Sequence, residues 1–176
     1  GIYDVRVEYV AGNLTDHYDP RSKVLRLSNA TYQQTSVAAI GVAAHECGHA
    51  IQHARGYAPL SIRSALVPVA NFGSSIAWPL IIIGLIMNSQ TSQLFLNLGV
   101  IAFSMAVLFQ IVTLPVEFNA SRRALKILGN TGMLYPDEVR ETRKVLTAAA
   151  LTYVAGAASA ILQLLRLIMI SNSRRD

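Results

Sequence analysis

Residues 36–56 read SVAAIGVAAHECGHAIQHARG, and the rest of the chain is best understood outward from them. Ser36 is suited to cap a helix, because its hydroxyl can accept an amide hydrogen that the first turn leaves without a partner. The alanines that follow favour helix, and Gly56 can adopt the left-handed backbone of a helix stop. A helix from Ser36 to about Arg55 is therefore expected, able to pack closely through Gly41, Ala44 and Gly48. Within it, His45-Glu46-Cys47-Gly48-His49 has the spacing H-E-x-x-H. Residues four apart share a helix face, so both imidazoles can reach one Zn²⁺ at about 2.0–2.1 Å. Glu46 is then placed to take a proton from zinc-activated water and pass it to a leaving amine. The bland alternative is two packing histidines beside a solvated glutamate; the caps and the alanine-rich setting favour the metal.

Two histidines need a third ligand. A metzincin would carry Gly and His three and six positions after the second histidine, where this chain has Gln52 and Arg55. The acids after His49 are Glu117, Asp137, Glu138, Glu141 and Asp176. Asp137 to Glu141 read as a first helical turn, where acids complement the dipole. Glu117 instead ends a long uncharged run, where an unpaired carboxylate is costly and a metal would justify it; an interfacial anchor facing water is the competing reading. Ser121 lies one turn further on and could hydrogen-bond a ligand histidine. Arg122 or Arg123 could stabilise an oxyanion, or simply flank a membrane span. His53, one turn beyond His49, and His17, in a loop, are further candidates near the site. Cys47 reads as a small core residue.

The uncharged run is the second strong signal. From Ser64 to Val116 there is no Asp, Glu, Lys, Arg or His, and Val145 to Leu165 is also uncharged. Both stretches reach the ~20 residues needed to cross a bilayer. Charged residues make up 14% of the chain, against about 25% in soluble domains, which argues for a lipid bilayer as partner. Spans are expected at about Val67–Met87, Leu94–Leu114 and Ala148–Ile170, with a hydrophilic turn at Asn88–Gln93. A helix from Pro115 should end at Gly129-Asn130, and another should start near Asp137. Asn71, Ser74 and Ser75 suggest a polar inner face, and Gly156, Ala157 and Ser159 a close helix contact.

Six Lys and Arg lie in residues 1–66 and six in 117–144, while the Asn88–Gln93 turn has none. The positive-inside rule places the histidine helix and Glu117 in the cytoplasm, with Arg174 and Arg175 left outside. The net charge of +5 reflects these flanks. It shows no basic-aromatic strip, so no nucleic acid is expected as a partner.

The amino-terminal part reads as β structure: Asp4–Val10, then a hairpin of Leu14–Asp19 and Lys23–Leu27 through Pro20-Arg21-Ser22. If the second hairpin strand were an open edge, Val24, Leu25, Arg26 and Leu27 could bind an extended substrate by main-chain pairing. The fold class expected is mainly α and integral to a membrane. It combines a zincin-like helix, a small sheet and about three transmembrane helices in one domain spanning residues 1–176.

HECGHAIQH followed by SALVPVANFGSSIAWP, with LTDHYDPRSKVLRLS upstream, resembles the YugP-like neutral zinc metallopeptidases of bacterial membranes over nearly the whole chain. The resemblance implies a peptidase of the bacterial inner membrane, and a further membrane helix ahead of Gly1. More distantly, Glu117 to Ala124 is similar to the E-x-x-A-D pattern of the HtpX and Ste24 membrane proteases. There the Glu is the third zinc ligand, which implies a gluzincin-like set here, and the Asp orients a histidine. This chain has Ser121 in place of that Asp, a weaker orienting group. The expected function is zinc-dependent hydrolysis of protein or peptide substrates near the cytoplasmic membrane face, membrane proteins among them. The alternative is a zinc-binding scaffold or inactive homologue that binds membrane proteins. Metal transport would need charged or histidine ligands inside the spans, and Ser64 to Val116 has none.

Overall fold

The computed structural model describes residues 1–87 and 91–173. Strands β1 (Arg6–Tyr9), β2 (His17–Asp19) and β3 (Val24–Leu27) precede helices α1 (Val37–Ala54), α2 (Ala58–Ile86), α3 (Thr91–Thr131) and α4 (Pro136–Ser173). Two compact units emerge. One combines Gly1–Ser61 with Pro115–Thr152, and the other combines Ile62–Leu114 with the chain from Tyr153 onward.

In the first unit the β2–β3 hairpin forms as expected, antiparallel with Tyr18 opposite Leu25. Its turn is an Asx arrangement: Asp19 accepts from the Arg21 amide at 3.0 Å and the Ser22 hydroxyl at 2.6 Å. The sheet order is β1-β3-β2, with β1 parallel to β3. β3 is thus the central strand, hydrogen-bonded on both sides. The expectation that Val24–Leu27 offers an open edge fails for that reason: the open edges belong to β1 and β2. Asp16 ties the hairpin together, accepting from the Ser28 amide at 2.8 Å and the Ser28 hydroxyl at 2.7 Å. Burial pushes the Asp16 carboxyl up, but the bonds from Ser28 and Thr31 outweigh it and hold the carboxyl below its ordinary range.

α1 packs on β2 and β3. Ser36 caps it, its Oγ accepting from the Ala39 amide at 3.2 Å. At the other end Gly56 takes φ +59. Its amide bonds the His53 carbonyl and the Tyr57 amide bonds that of Gln52, at 3.1 and 2.9 Å, the pattern of a Schellman stop. Ala44 of α1, Ala124 and Leu128 of α3, Leu134 before α4 and Leu146 of α4 form the apolar core of this unit. α4 starts with Pro136, whose missing N–H costs nothing in a first turn, and Glu138 reaches back to the Tyr135 amide at 2.8 Å. Glu141 pairs with Lys144 at 2.8 Å.

The small residues of α1 set how near its neighbours come. A Cβ on Gly48 would lie 2.5 Å from the Ala120 carbonyl oxygen and 3.0 Å from Ala120 Cα. Those are backbone atoms, so α1 and α3 touch main chain to main chain there. A Cβ on Gly41 would meet only the Thr142 methyl, at 2.8 Å.

The second unit consists of helical segments. α2, α3 and α4 are each long and apolar enough to cross a membrane, as expected, but their bounds differ from the expected ones. α2 begins at Ala58 rather than Val67, because Pro59 sits in its first turn, where proline is preorganised. Thr91–Gln93, expected as turn, already form the start of α3; Asn88–Gln90 lie outside the described residues, as do Arg174 and Arg175. Pro115 does not break the chain into two helices. α3 runs through it, as α2 runs through Pro68 and Pro79, since neighbouring helices and Ser/Thr side chains make such interruptions tolerable in membrane helices. The helix ends at Thr131, and Gly132 takes φ +67.

Close packing in this unit comes from Gly73 against the Ala102 carbonyl, Gly84 against Leu96 and Gly99 against Ile81. Gly156, expected to make such a close contact, has only Gln110 Oε1 near it, 3.9 Å from where a Cβ would lie, whereas Ala157 is buried. Asn71, Ser74 and Ser75 are exposed rather than inward. Ser74 and Ser75 return their hydroxyls to Asn71 and Phe72 carbonyls on their own helix, at 3.1 and 2.8 Å. Among the described residues, polar contacts between helices of this unit are made instead by Gln93 and Asn97 with Ser171, at 2.9 and 3.1 Å, and by the Ser92 hydroxyl with the Gly84 carbonyl at 2.5 Å.

Gly48→Ala should lower the thermal midpoint, since overpacking a tight contact costs about 1–3 kcal/mol. Gly129→Ala, with nothing within 4 Å of the added Cβ, should be neutral or stabilising; equal behaviour of the two would refute the close contact. Asp16→Asn should also lower the midpoint at neutral pH. The Asp16 contribution is complete above the ordinary carboxylate pKa and vanishes as pH falls through its depressed folded value. The gap between wild type and Asp16→Asn should therefore close only below about pH 4.

Candidate metal centre

The contact at Gly48 brings the α1 face bearing His45 and His49 against the α3 turn bearing Glu117 and Ser121. His45 Nε2 lies 3.1 Å and His49 Nε2 3.6 Å from the same oxygen, Glu117 Oε2. The ring centroids of the histidines are 4.8 Å apart at 85°. One ligand atom from each of the three residues falls within 4.8 Å of the others, and this is the only such group of metal-binding type among the described residues. Ligand atoms about 2.0–2.1 Å from a tetrahedral zinc stand roughly 3.3 Å apart, so the two measured separations bracket what a bound ion requires. The donor set fits as well: two imidazoles and a carboxylate leave a fourth position open.

Each histidine is held through its other nitrogen. His45 Nδ1 lies 3.1 Å from Ser121 Oγ, the placement expected for Ser121. His49 Nδ1 lies 3.0 Å from Gln52 Oε1. Gln52, fully buried, continues to the Val116 carbonyl at 2.8 Å and Asn119 Oδ1 at 3.0 Å. Glu117 is 2% exposed, which excludes the reading of a water-facing anchor.

Glu46 is buried on α1 beside the two histidines. Burial pushes its carboxyl up, the neighbouring His49 and His45 pull it back, and Glu117 and Asp16 add to the rise. A carboxyl raised toward neutral pH is the kind that can take and return a proton. Glu46 and His53 are seven positions apart, about 20° around the helix, and so share a face. His53 is exposed, and its Nδ1 lies 2.9 Å from the Tyr18 hydroxyl of β2.

The remaining candidates are placed as follows. His17 Nδ1 turns to the Thr15 carbonyl at 2.8 Å. Arg122 is exposed. Arg123 donates from Nε to Asn119 Oδ1 at 2.7 Å, and its guanidinium lies 5.9 Å from the Tyr57 ring centre. Cys47 is exposed rather than core. It lines a cleft of about 580 Å³ with Val5 and Val7, on the side of α1 turned from the metal residues. Gln52, Asn119 and Tyr18 were missed in the sequence. Gln52 alone carried a signal, an amide on the ligand face three residues after His49.

A family model described as "Putative neutral zinc metallopeptidase" matches residues 1–172. The curated "Putative membrane protease YugP" of Bacillus subtilis (strain 168) is 49% identical over 176 residues, covering 100% of this chain and 77% of that protein. No solved structure matches. With a whole-chain match of this kind, and two histidines and a glutamate converging as a zinc site would need, the chain belongs to this family of neutral zinc metallopeptidases.

Proposed function

We propose that this protein is a zinc-dependent endopeptidase that binds one Zn²⁺ per chain through His45, His49 and Glu117, with Glu46 as general base. The observation that carries the reading is the convergence of these three ligand atoms beside a buried carboxylate on the same helix. Zinc bound there would supply Lewis acidity, drawing the pKa of water toward ~7 and polarising the scissile carbonyl. Glu46 takes the proton of the attacking water and delivers it to the amide nitrogen as the C–N bond breaks. Its raised pKa suits both transfers. Ser121 holds the His45 ring in place.

Substrate enters as an extended segment along the outer edge of β2. That edge is unpaired in the sheet, and Tyr18 joins β2 to the α1 face that carries Glu46 and His53. His53 and Arg122 stand as donors for the developing oxyanion. Arg123 is the weaker candidate, with its Nε committed to Asn119. The concentration of basic residues in 1–66 and 117–144 supports a site on the cytoplasmic side of the bacterial inner membrane. Substrates are then cytoplasmic segments of membrane proteins or unfolded chains.

Metal analysis of detergent-purified protein should find about one zinc per chain, and Glu117→Ala should lose most of it, since zinc sites of this class rest on three protein ligands. Full occupancy in Glu117→Ala would place the third ligand elsewhere. Glu46→Gln should keep zinc while hydrolysis of an unfolded protein such as casein drops by about 10²–10⁴-fold. Unchanged hydrolysis would remove Glu46 from the mechanism. Zinc binding with no hydrolysis in either protein would favour a zinc-binding scaffold.

A further inference from the structure

We infer that Gln52 is the positioning residue of the metal centre: it fixes which nitrogen of His49 is free to bind the ion. The inference rests on the proposed metal site and on hydrogen bonds that leave one consistent assignment. The Val116 backbone carbonyl can only accept. The Gln52 atom 2.8 Å from it must therefore be the amide nitrogen, Nε2. Nε2 also donates to Asn119 Oδ1 at 3.0 Å, and that oxygen receives a second donor, Arg123 Nε, at 2.7 Å. With Nε2 committed, the carbonyl Oε1 is the end that faces His49, and it can only accept. His49 Nδ1, 3.0 Å away, must carry the hydrogen. In the neutral ring Nε2 of His49 then keeps its lone pair, 3.6 Å from Glu117 Oε2, where a cation could lie between the two.

The two ligand histidines differ in this respect. Ser121 Oγ, beside His45 Nδ1, can donate or accept, so the hydroxyl tolerates either tautomer. Gln52 tolerates one. Its side chain is also fully buried, with hydrogen bonds to His49 of α1 and to Val116 and Asn119 of α3. The same amide therefore orients the ring and joins the two helices that supply the ligands. Arg123 acts one step further back, holding Asn119 as the acceptor that Gln52 needs.

The test uses the full chain in detergent, ¹⁵N-labelled at histidine, with Gln52→Met and Gln52→Glu beside wild type. Methionine keeps the length and loses both polar ends. Glutamate keeps the acceptor for His49 and loses the donors to Val116 and Asn119. In metal-free wild type, the neutral form of the His49 ring should show the Nδ1–H tautomer; its signals are assigned by their loss in His49→Gln. Gln52→Met should abolish that preference and weaken Zn²⁺ binding by about 10–100-fold. Gln52→Glu should restore the tautomer and hold zinc more tightly than Gln52→Met.

A residue that merely filled space would give the reverse order, because buried methionine is benign and an unpaired buried carboxylate is not. That order, or a wild-type His49 protonated on Nε2, overturns the assignment of Gln52. Absence of zinc from wild type with the Nδ1–H tautomer intact overturns the metal reading and leaves the hydrogen-bond assignment standing.

Discussion

The site depends on how closely α1 approaches α3. At Gly48 there is no room for a single carbon atom between the helix and the Ala120 carbonyl. Helices with ordinary side chains at their contact lie 8–10 Å apart axis to axis, and the imidazole and carboxylate arms of the ligands are short. The missing side chain at Gly48, the fourth position of His45-Glu46-Cys47-Gly48-His49, lets the carboxylate of Glu117, 68 positions beyond His49, reach both rings. Ala44, Ala124 and Leu128 extend the contact with small and apolar surface, which holds the approach without polar groups that compete for the ligands.

A second constraint follows from burial. Glu117 and Glu46 are both nearly inaccessible to water, and two carboxylates in that state cannot both remain charged without compensation. His45 supplies part of it, with Nε2 3.1 Å from Glu117 Oε2, and both histidines lie close enough to Glu46 to favour its charged form. A divalent cation would supply the rest, which is why a cluster of this kind could hold a metal ion. The neighbouring amides and hydroxyl keep the ring nitrogens directed at the place the cation would take.

The helical signals were readable because they are local. Ser36, Gly56, Pro136 and the acids after it act on backbone groups within a turn of themselves, and their roles follow from residue type. Charge-free runs likewise reveal helices fit for lipid, although Pro115 made one continuous helix look like two. A proline deletes one hydrogen bond, and whether the helix continues depends on what packs around it. The order β1-β3-β2 could not be read from alternation, because a parallel partner far along the chain leaves no local mark. Expecting Val24–Leu27 at an edge erred for that reason.

By itself the sequence determined the spacing of His45, Glu46 and His49 on one helix, the isolation of Glu117 at the end of an uncharged run, and the apolar lengths of α2, α3 and α4. These are properties of periodicity and composition. Tertiary structure decided that Glu117 reaches both histidines, that Gln52 meets His49, that Arg123 turns to Asn119, and that β2 is an edge strand joined to α1 through Tyr18 and His53. The reach of Glu117 and the place of β2 in the sheet depend on residues distant in the chain, set by where small side chains let backbones meet. Gln52 with His49 and Arg123 with Asn119 are pairs within one helix, but which of several partners each polar group takes depends on the helix packed against it.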